Sequence, residues 1–223
     1  MIKLDNKFKN FAKYVRRQDI SRFIVRYELF KKVLNKKGSI VECGVHEGGG
    51  LLSFAQISAI LEPYNYNRKI FGFDTFKGFP SVDKIKDKSD NLSKKKEYFQ
   101  ENYDTYEEIS QCINKFDRNR FLNHIPKVEL IKGDANKTIP KFLKNNNHML
   151  ISLLYLDFDI YQPTKKALDN FVKIMSKNSI IAFDQVNNPD WPGETQALLS
   201  SLNLNNYDLL SFPFEPNISY LIL

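Results

Sequence analysis

The chain has 223 residues, enough for one sizeable α/β domain with length left over for an arm or a lid. No apolar run approaches the ~20 residues that span a bilayer, the start MIKLDNKFKNF lacks the apolar stretch of a secretory signal, and Cys43 and Cys112 are too few for a disulfide framework or a structural zinc site. A soluble protein of a reducing cytoplasm is therefore expected. The net charge of +7 is uneven: residues 1–37 carry twelve Lys/Arg against three Asp/Glu, and the remainder sums to −2. Nucleic-acid grooves more often draw basic residues from several parts of a domain, so no nucleic-acid partner is expected.

In chain order, residues 1–38 read as a helical arm. Phe8, Phe11, Ala12 and Val15 form one helical stripe, and Ile20, Phe23, Ile24, Tyr27, Phe30 and Leu34 form a second, ended by Gly38. Both stripes are expected to face the core, with the basic residues on a solvated face. A phosphate-binding or homo-oligomer-forming face is the alternative.

From Ser39 the sequence alternates short apolar runs with helical segments. The runs are SIVECGV (39–45), IFGFD (70–74), VELIKGD (128–134), ISLLYLD (151–157) and SIIAFD (179–184). Their near-continuous apolar character suits strands buried on both faces of a parallel sheet. Helices fit at 48–61, 137–146, 163–175 and 194–202. Two last strands, near 207–212 and 218–223, lack room for a helix between them and should pair antiparallel. The expectation is a doubly wound α/β domain over 39–223, with a mostly parallel, seven-stranded, Rossmann-like sheet closed by an antiparallel hairpin. Residues 77–127 interrupt the rhythm and read as a lid-like, partly helical insertion over an acceptor pocket.

The chemistry-bearing residues fall at the strand ends. The first turn is Glu42-Cys43-Gly44-Val45-His46-Glu47-Gly48-Gly49-Gly50. Its G-x-x-x-G-G-G spacing differs from the dinucleotide fingerprint G-x-G-x-x-G. With a carboxylate two residues before the first glycine, it suits S-adenosylmethionine, which is cationic and has no pyrophosphate. Asp74 ends the second strand, where it could accept the ribose hydroxyls. Asp134 follows the third, placed for the adenine amino group. For each acid, helix capping is the competing explanation. Asp157, Asp159 and Asp184-Gln185 follow the fourth and fifth strands. Carboxylates converging there could hold a hard divalent ion such as Mg2+, which would lower the pKa of an acceptor hydroxyl, while a neighbouring carboxylate takes the proton. His46, His124 and His148 show no ligand spacing. Trp191 could wall the acceptor site.

Together the segments VECGVHEGGG, FGFDTFKGFP, VELIKGDANKTIP, LLYLDFDIYQPTKKAL and FDQVNNPDWPGETQAL resemble the macrocin O-methyltransferase family, over roughly residues 20–223. These are metal-dependent sugar O-methyltransferases. The resemblance implies that Glu42, Gly44, Gly48, Gly49 and Gly50 hold the methionine part of S-adenosylmethionine, Asp74 with Thr75 beside it the ribose, and Asp134 the adenine. It also implies Asp157 and Asp184 as Mg2+ ligands with Gln185 beside them, Asp159 as general base, and a sugar or nucleotide-sugar acceptor, as in surface-polysaccharide or natural-product pathways. One departure stands out: relatives often show two acids after the fifth strand, where this chain has Asp184-Gln185. An NAD-dependent oxidoreductase on a similar sheet, or a methyltransferase with a non-sugar acceptor, is the alternative reading.

Overall fold

In a computed structural model, the apolar runs form a single seven-stranded sheet. The structure describes residues 4–89 and 104–223. The strands are β1 (Ser39–Cys43), β2 (Ile70–Asp74), β3 (Val128–Lys132), β4 (Ile151–Leu156), β5 (Met175–Phe183), β6 (Leu210–Phe212) and β7 (Glu215–Ile222), in the spatial order β3-β2-β1-β4-β5-β7-β6. The first five run parallel, and β7 pairs antiparallel with both β5 and β6. The expected parallel sheet with its closing antiparallel pair is what forms.

The helices are α1 (Leu4–Lys9), α2 (Arg17–Val33), α3 (Gly49–Leu61), α4 (Thr105–Arg118), α5 (Ala135–Asn145), α6 (Tyr161–Phe171) and α7 (Pro192–Ser201). Successive strand residues point to opposite faces, so the central strands feed two cores. Ile40, Leu153 and Tyr155 pack with Val25, Leu29 and Phe30 of α2, Leu51 and Phe54 of α3, and Ile109 and Ile113 of α4. Val41, Leu154 and Leu156 pack with Ile139 and Phe142 of α5, Leu168 and Phe171 of α6, and Leu198 of α7. A fully buried side chain of this size contributes roughly 1.5–3 kcal/mol. This double burial explains why the strands read as continuous apolar runs.

Two sequence expectations need correction. The buried face of α2 is Ser21, Val25, Arg26, Leu29, Phe30 and Val33, rotated from the expected stripe, which leaves Phe23 and Ile24 exposed. The first stripe does not dock into the core: Phe8 and Phe11 are 62% and 57% exposed. The cause is competition between overlapping apolar sets, settled by which face meets α3 and the sheet. Within the insertion, residues 90–103 lie outside the described residues, including the start of the helical stretch expected there. The segment before them is anchored: buried Asp87 accepts hydrogen bonds from the Tyr161 and Asp83 amides, and the Ser89 hydroxyl donates to the Asp190 carbonyl. The segment after them, α4, packs into the core, and Thr105 in its first turn reaches the cavity at the strand ends. No helix among the described residues is long and apolar enough to cross a membrane.

Candidate active site

The turn after β1 is built by close backbone approach. Gly44 has φ +92°, and a Cβ there would lie 1.9 Å from the Asp157 carbonyl oxygen, so no side chain fits. Gly48 caps α3 with φ +81°, again the left-handed region. Glu42, buried at 1% exposure, runs beneath the first turn of α3: a Cβ on Gly50 would meet its Oε1 at 2.0 Å. Arg26 of α2 meets the same oxygen at 3.5 Å, its guanidinium lying 4.8 Å from the Tyr155 ring centroid and 5.9 Å from that of Phe54. Among the described residues, Glu42 Oε2 and Arg26 Nε are buried and meet no hydrogen-bond partner. Burial pushes the Glu42 carboxyl up to about 7, against the opposing pull of the Arg26 charge and hydrogen bond.

Two cavities meet at Arg22, Gly44, His46 and Asp157. The larger, about 720 Å3, lies between the N-terminal arm and the first turn and is bounded by Glu42, Gly49 and Gly50, with Phe11, Val15 and Phe23 on the arm side. The smaller, about 300 Å3, lies over the strand ends and is bounded by Asp74, Thr75, Phe79, Gly133, Asp159 and Trp191. The Phe79 and Trp191 rings meet edge to face with centroids 6.0 Å apart.

Asp74 holds the first turn together. Its Oδ2 accepts from the amides of Val45 (2.8 Å) and His46 (2.9 Å), and its Oδ1 accepts from the Phe76 amide (2.8 Å). The Thr75 hydroxyl donates to the Gly78 carbonyl, which fixes the following turn. Asp134 is the N-cap of α5, accepting from the Asn136 amide and side chain, both at 3.0 Å. Its neighbours Gly133 and Ala135 border the smaller cavity. The Asp134 Oδ1 atom therefore caps the helix.

The acids after β4 and β5 share one crevice. Asp184 is 2% exposed. Its Oδ1 accepts from the Tyr155 hydroxyl (3.0 Å), and its Oδ2 accepts from Arg22 Nη2 and Gln185 Nε2, both at 3.1 Å. Fully buried Glu194, in the first turn of α7, accepts from the Gln185 amide (2.9 Å) and the Asp159 amide (3.4 Å), tying the two strand ends together. Asp159 sits at φ +61°, so the chain turns sharply there instead of staying extended. Loss of solvent, then the charges of Asp184, Asp159 and Glu194, push Asp157 well above the usual carboxylate range, with Arg26 opposing. Loss of solvent, with Asp159 next, pushes Glu194 the same way.

The arrangement does not fit a divalent ion. Asp184 has donors on both oxygens, and Gln185 Oε1 accepts from Asn188 Nδ2 at 2.6 Å. Among the described residues no three His, Cys, Asp or Glu side chains converge as ligands would. A guanidinium holds the oxygen that the resemblance assigns to Mg2+.

Arg22, Arg26, Tyr155 and Glu194 escaped the sequence reading. The two arginines are spaced i, i+4 on one face of α2, and Arg26 falls among Val25, Leu29 and Phe30. A charged residue inside an apolar stripe was the available signal. Their partners, Asp184 just after β5 and Glu42 on β1, are distant in the sequence. Glu194 carried only the pattern of an acid in a helix first turn.

The profile of the macrocin O-methyltransferase (TylF) family matches residues 26–196. A search of curated proteins finds no match. Among solved structures, the calicheamicin methyltransferase CalS11 is 32% identical, over 99% of this chain and 86% of that one, with a TM-score of 0.93. An apo structure of CalS11, described as a TDP-rhamnose 3'-O-methyltransferase of calicheamicin biosynthesis, gives 31% identity over 99% and 87% of the two chains and a TM-score of 0.85. The O-methyltransferase NovP, at 19% identity over 91% and 79% with a TM-score of 0.65, shares the fold. With the family profile spanning most of its length and its fold overlaying CalS11 almost end to end, the chain belongs to the macrocin O-methyltransferase family.

Proposed function

We propose that this protein transfers a methyl group from S-adenosylmethionine to a sugar hydroxyl, with a nucleotide-linked deoxysugar as the acceptor class. The description of CalS11 as acting on TDP-rhamnose supports that class. The observation that carries the donor assignment is Glu42 Oε2, a buried acceptor without a partner on a carboxylate that borders the larger cavity. A buried orphan acceptor costs stability unless a ligand satisfies it, and the ammonium of a methionyl group is a suitable donor. Gly44, Gly48, Gly49 and Gly50 keep the backbone open beside it.

The smaller cavity then takes the nucleoside end along its Asp74 and Gly133 side, leaving its Asp159 and Trp191 side to the acceptor. Asp74 Oδ1 has one backbone donor and room for another, suited to a ribose hydroxyl, with Thr75 shaping the adjoining turn. The adenine edge falls near Gly133–Ala135, with Asp134 acting through the cap of α5. When bound, S-adenosylmethionine supplies a sulfonium methyl, whose C–S bond breaks with its electron pair left on sulfur as the acceptor oxygen forms the new C–O bond. Asp159, which borders the smaller cavity, takes the acceptor hydroxyl's proton and releases it to solvent. Asp157, which lost solvent and neighbouring charge incline to keep its own proton, is less available to take another. Phe79 and Trp191 offer an aromatic wall for the apolar face of a deoxysugar. The protein's contribution is alignment and fixed charge.

Calorimetric titration with S-adenosylhomocysteine, using NAD+ as control, tests the donor assignment. Micromolar binding of S-adenosylhomocysteine alone is expected. Binding of NAD+ instead would return the glycine turn to a dinucleotide enzyme.

A further inference from the structure

Among the described residues, Arg22 is the one Lys or Arg bordering both cavities. It projects from α2, its side chain is 36% exposed, and Nη2 lies 3.1 Å from Asp184 Oδ2. Asp184 is held from behind by the Tyr155 hydroxyl and from the side by the Gln185 amide, so its second oxygen is presented to Arg22 in a fixed position. Gln185 supports this arrangement by chemistry: an acid there would repel Asp184 and ask for a metal, whereas the amide donates to Asp184 and accepts from Asn188. A guanidinium has five donors in a fixed fork, and the contact to Asp184 uses one of them.

We propose that Arg22 supplies the resident positive charge of this crevice in place of a divalent ion, and that its remaining donors hold the acceptor hydroxyl during methyl transfer. This rests on the methyltransferase reading above. Asp159 takes the hydroxyl proton, the oxygen attacks the methyl carbon, and the C–S electron pair stays on sulfur. Throughout, the guanidinium keeps its protons and offsets the negative charge growing on the oxygen. Asp184 serves as its anchor and has no direct part in the chemistry.

The test uses the full-length enzyme, stripped with EDTA, with methyl transfer to a nucleoside-diphosphate deoxysugar as one readout and Mn2+ binding by electron paramagnetic resonance as the other. The stripped wild type is expected to keep its turnover and to show no sub-millimolar Mn2+ site. Arg22→Met should lower kcat about 100-fold or more while S-adenosylhomocysteine still binds. Arg22→Lys, which keeps the charge and loses the fork, should retain more turnover than Arg22→Met. Persistent S-adenosylhomocysteine binding separates this proposal from the donor assignment and shows that the variants fold. Loss of wild-type turnover on stripping with recovery in Mg2+, a sub-millimolar Mn2+ site, or an Arg22→Met enzyme of normal kcat would each overturn it.

Discussion

Arg26 and Glu42 approach to 3.5 Å beneath the first turn of α3, and each keeps one buried polar atom without a partner. An ion pair left incomplete on both sides is poised for a ligand. Because burial pushes Glu42 up to about 7, the carboxylate that would accept the cofactor's ammonium forms only as pH rises through that value. S-Adenosylhomocysteine should therefore bind more tightly at pH 8 than at pH 6, by up to about tenfold per unit below the pKa. Glu42→Gln should bind weakly with a flat profile. A wild-type affinity that is level from pH 6 to 8 would contradict this.

The same shift predicts a stability trend in the protein without cofactor. Native Glu42 holds its proton up to about 7, whereas the unfolded chain releases it near the ordinary 4.5. The native state thus binds more protons between these values, and stability falls as pH rises through that window. Thermal melts should show this loss in wild type and a smaller one in Glu42→Gln. Parallel curves for the two proteins would remove Glu42 as its source.

Breaking the pair from the other side should be costly. At pH 8, where the wild-type Glu42 is ionised, Arg26→Met leaves that carboxylate buried without its cation and should destabilise by about 3 kcal/mol in denaturant melts. Adding Glu42→Gln removes the uncompensated charge, so the double variant should recover part of that loss. A double variant less stable than Arg26→Met would show that the carboxylate has other support.

Gly44→Ala places a methyl 1.9 Å from the Asp157 carbonyl oxygen at φ +92°. The β1 and β4 ends must separate to admit it. We expect a loss of about 2 kcal/mol or more together with loss of S-adenosylhomocysteine binding. Wild-type affinity in this variant would mean the turn does not contact the cofactor.

The acceptor side separates from the donor side. Asp159→Asn should abolish turnover with cofactor affinity nearly intact. Trp191→Ala should raise the acceptor KM about tenfold, as expected for losing an aromatic face worth about 1 kcal/mol or somewhat more, with kcat changed less. Full activity of Asp159→Asn would remove it as the base, and an unchanged KM for Trp191→Ala would place the sugar elsewhere.

The sheet was legible in the sequence because its central strands are buried on both faces: SIVEC and ISLLYL admit no amphipathic reading. The glycine turn was legible because three glycines and a preceding acid have few other uses. The face of α2 was not, since Ile20, Phe23 and Ile24 compete with Val25, Leu29 and Val33 at the same period, and only the position of α3 and the sheet decides. Nor were the charge partners. Whether Asp184 meets a metal or a guanidinium depends on Arg22, 162 residues away in sequence, and local pattern carries no such information. Asp134 showed a motif position and a capping position at once, and only the structure shows that its Oδ1 takes the cap through Asn136.

Methyl transfer from S-adenosylmethionine to a sugar hydroxyl is the activity proposed for this chain. Its most direct test is incubation of the purified protein with methyl-labelled S-adenosylmethionine and a panel of nucleoside-diphosphate deoxysugars, read by mass spectrometry of the sugar. Labelled methyl is expected on one sugar hydroxyl, matched by an equal amount of S-adenosylhomocysteine. S-Adenosylhomocysteine binding with no label on any sugar, and label instead on a non-sugar hydroxyl, would contradict it.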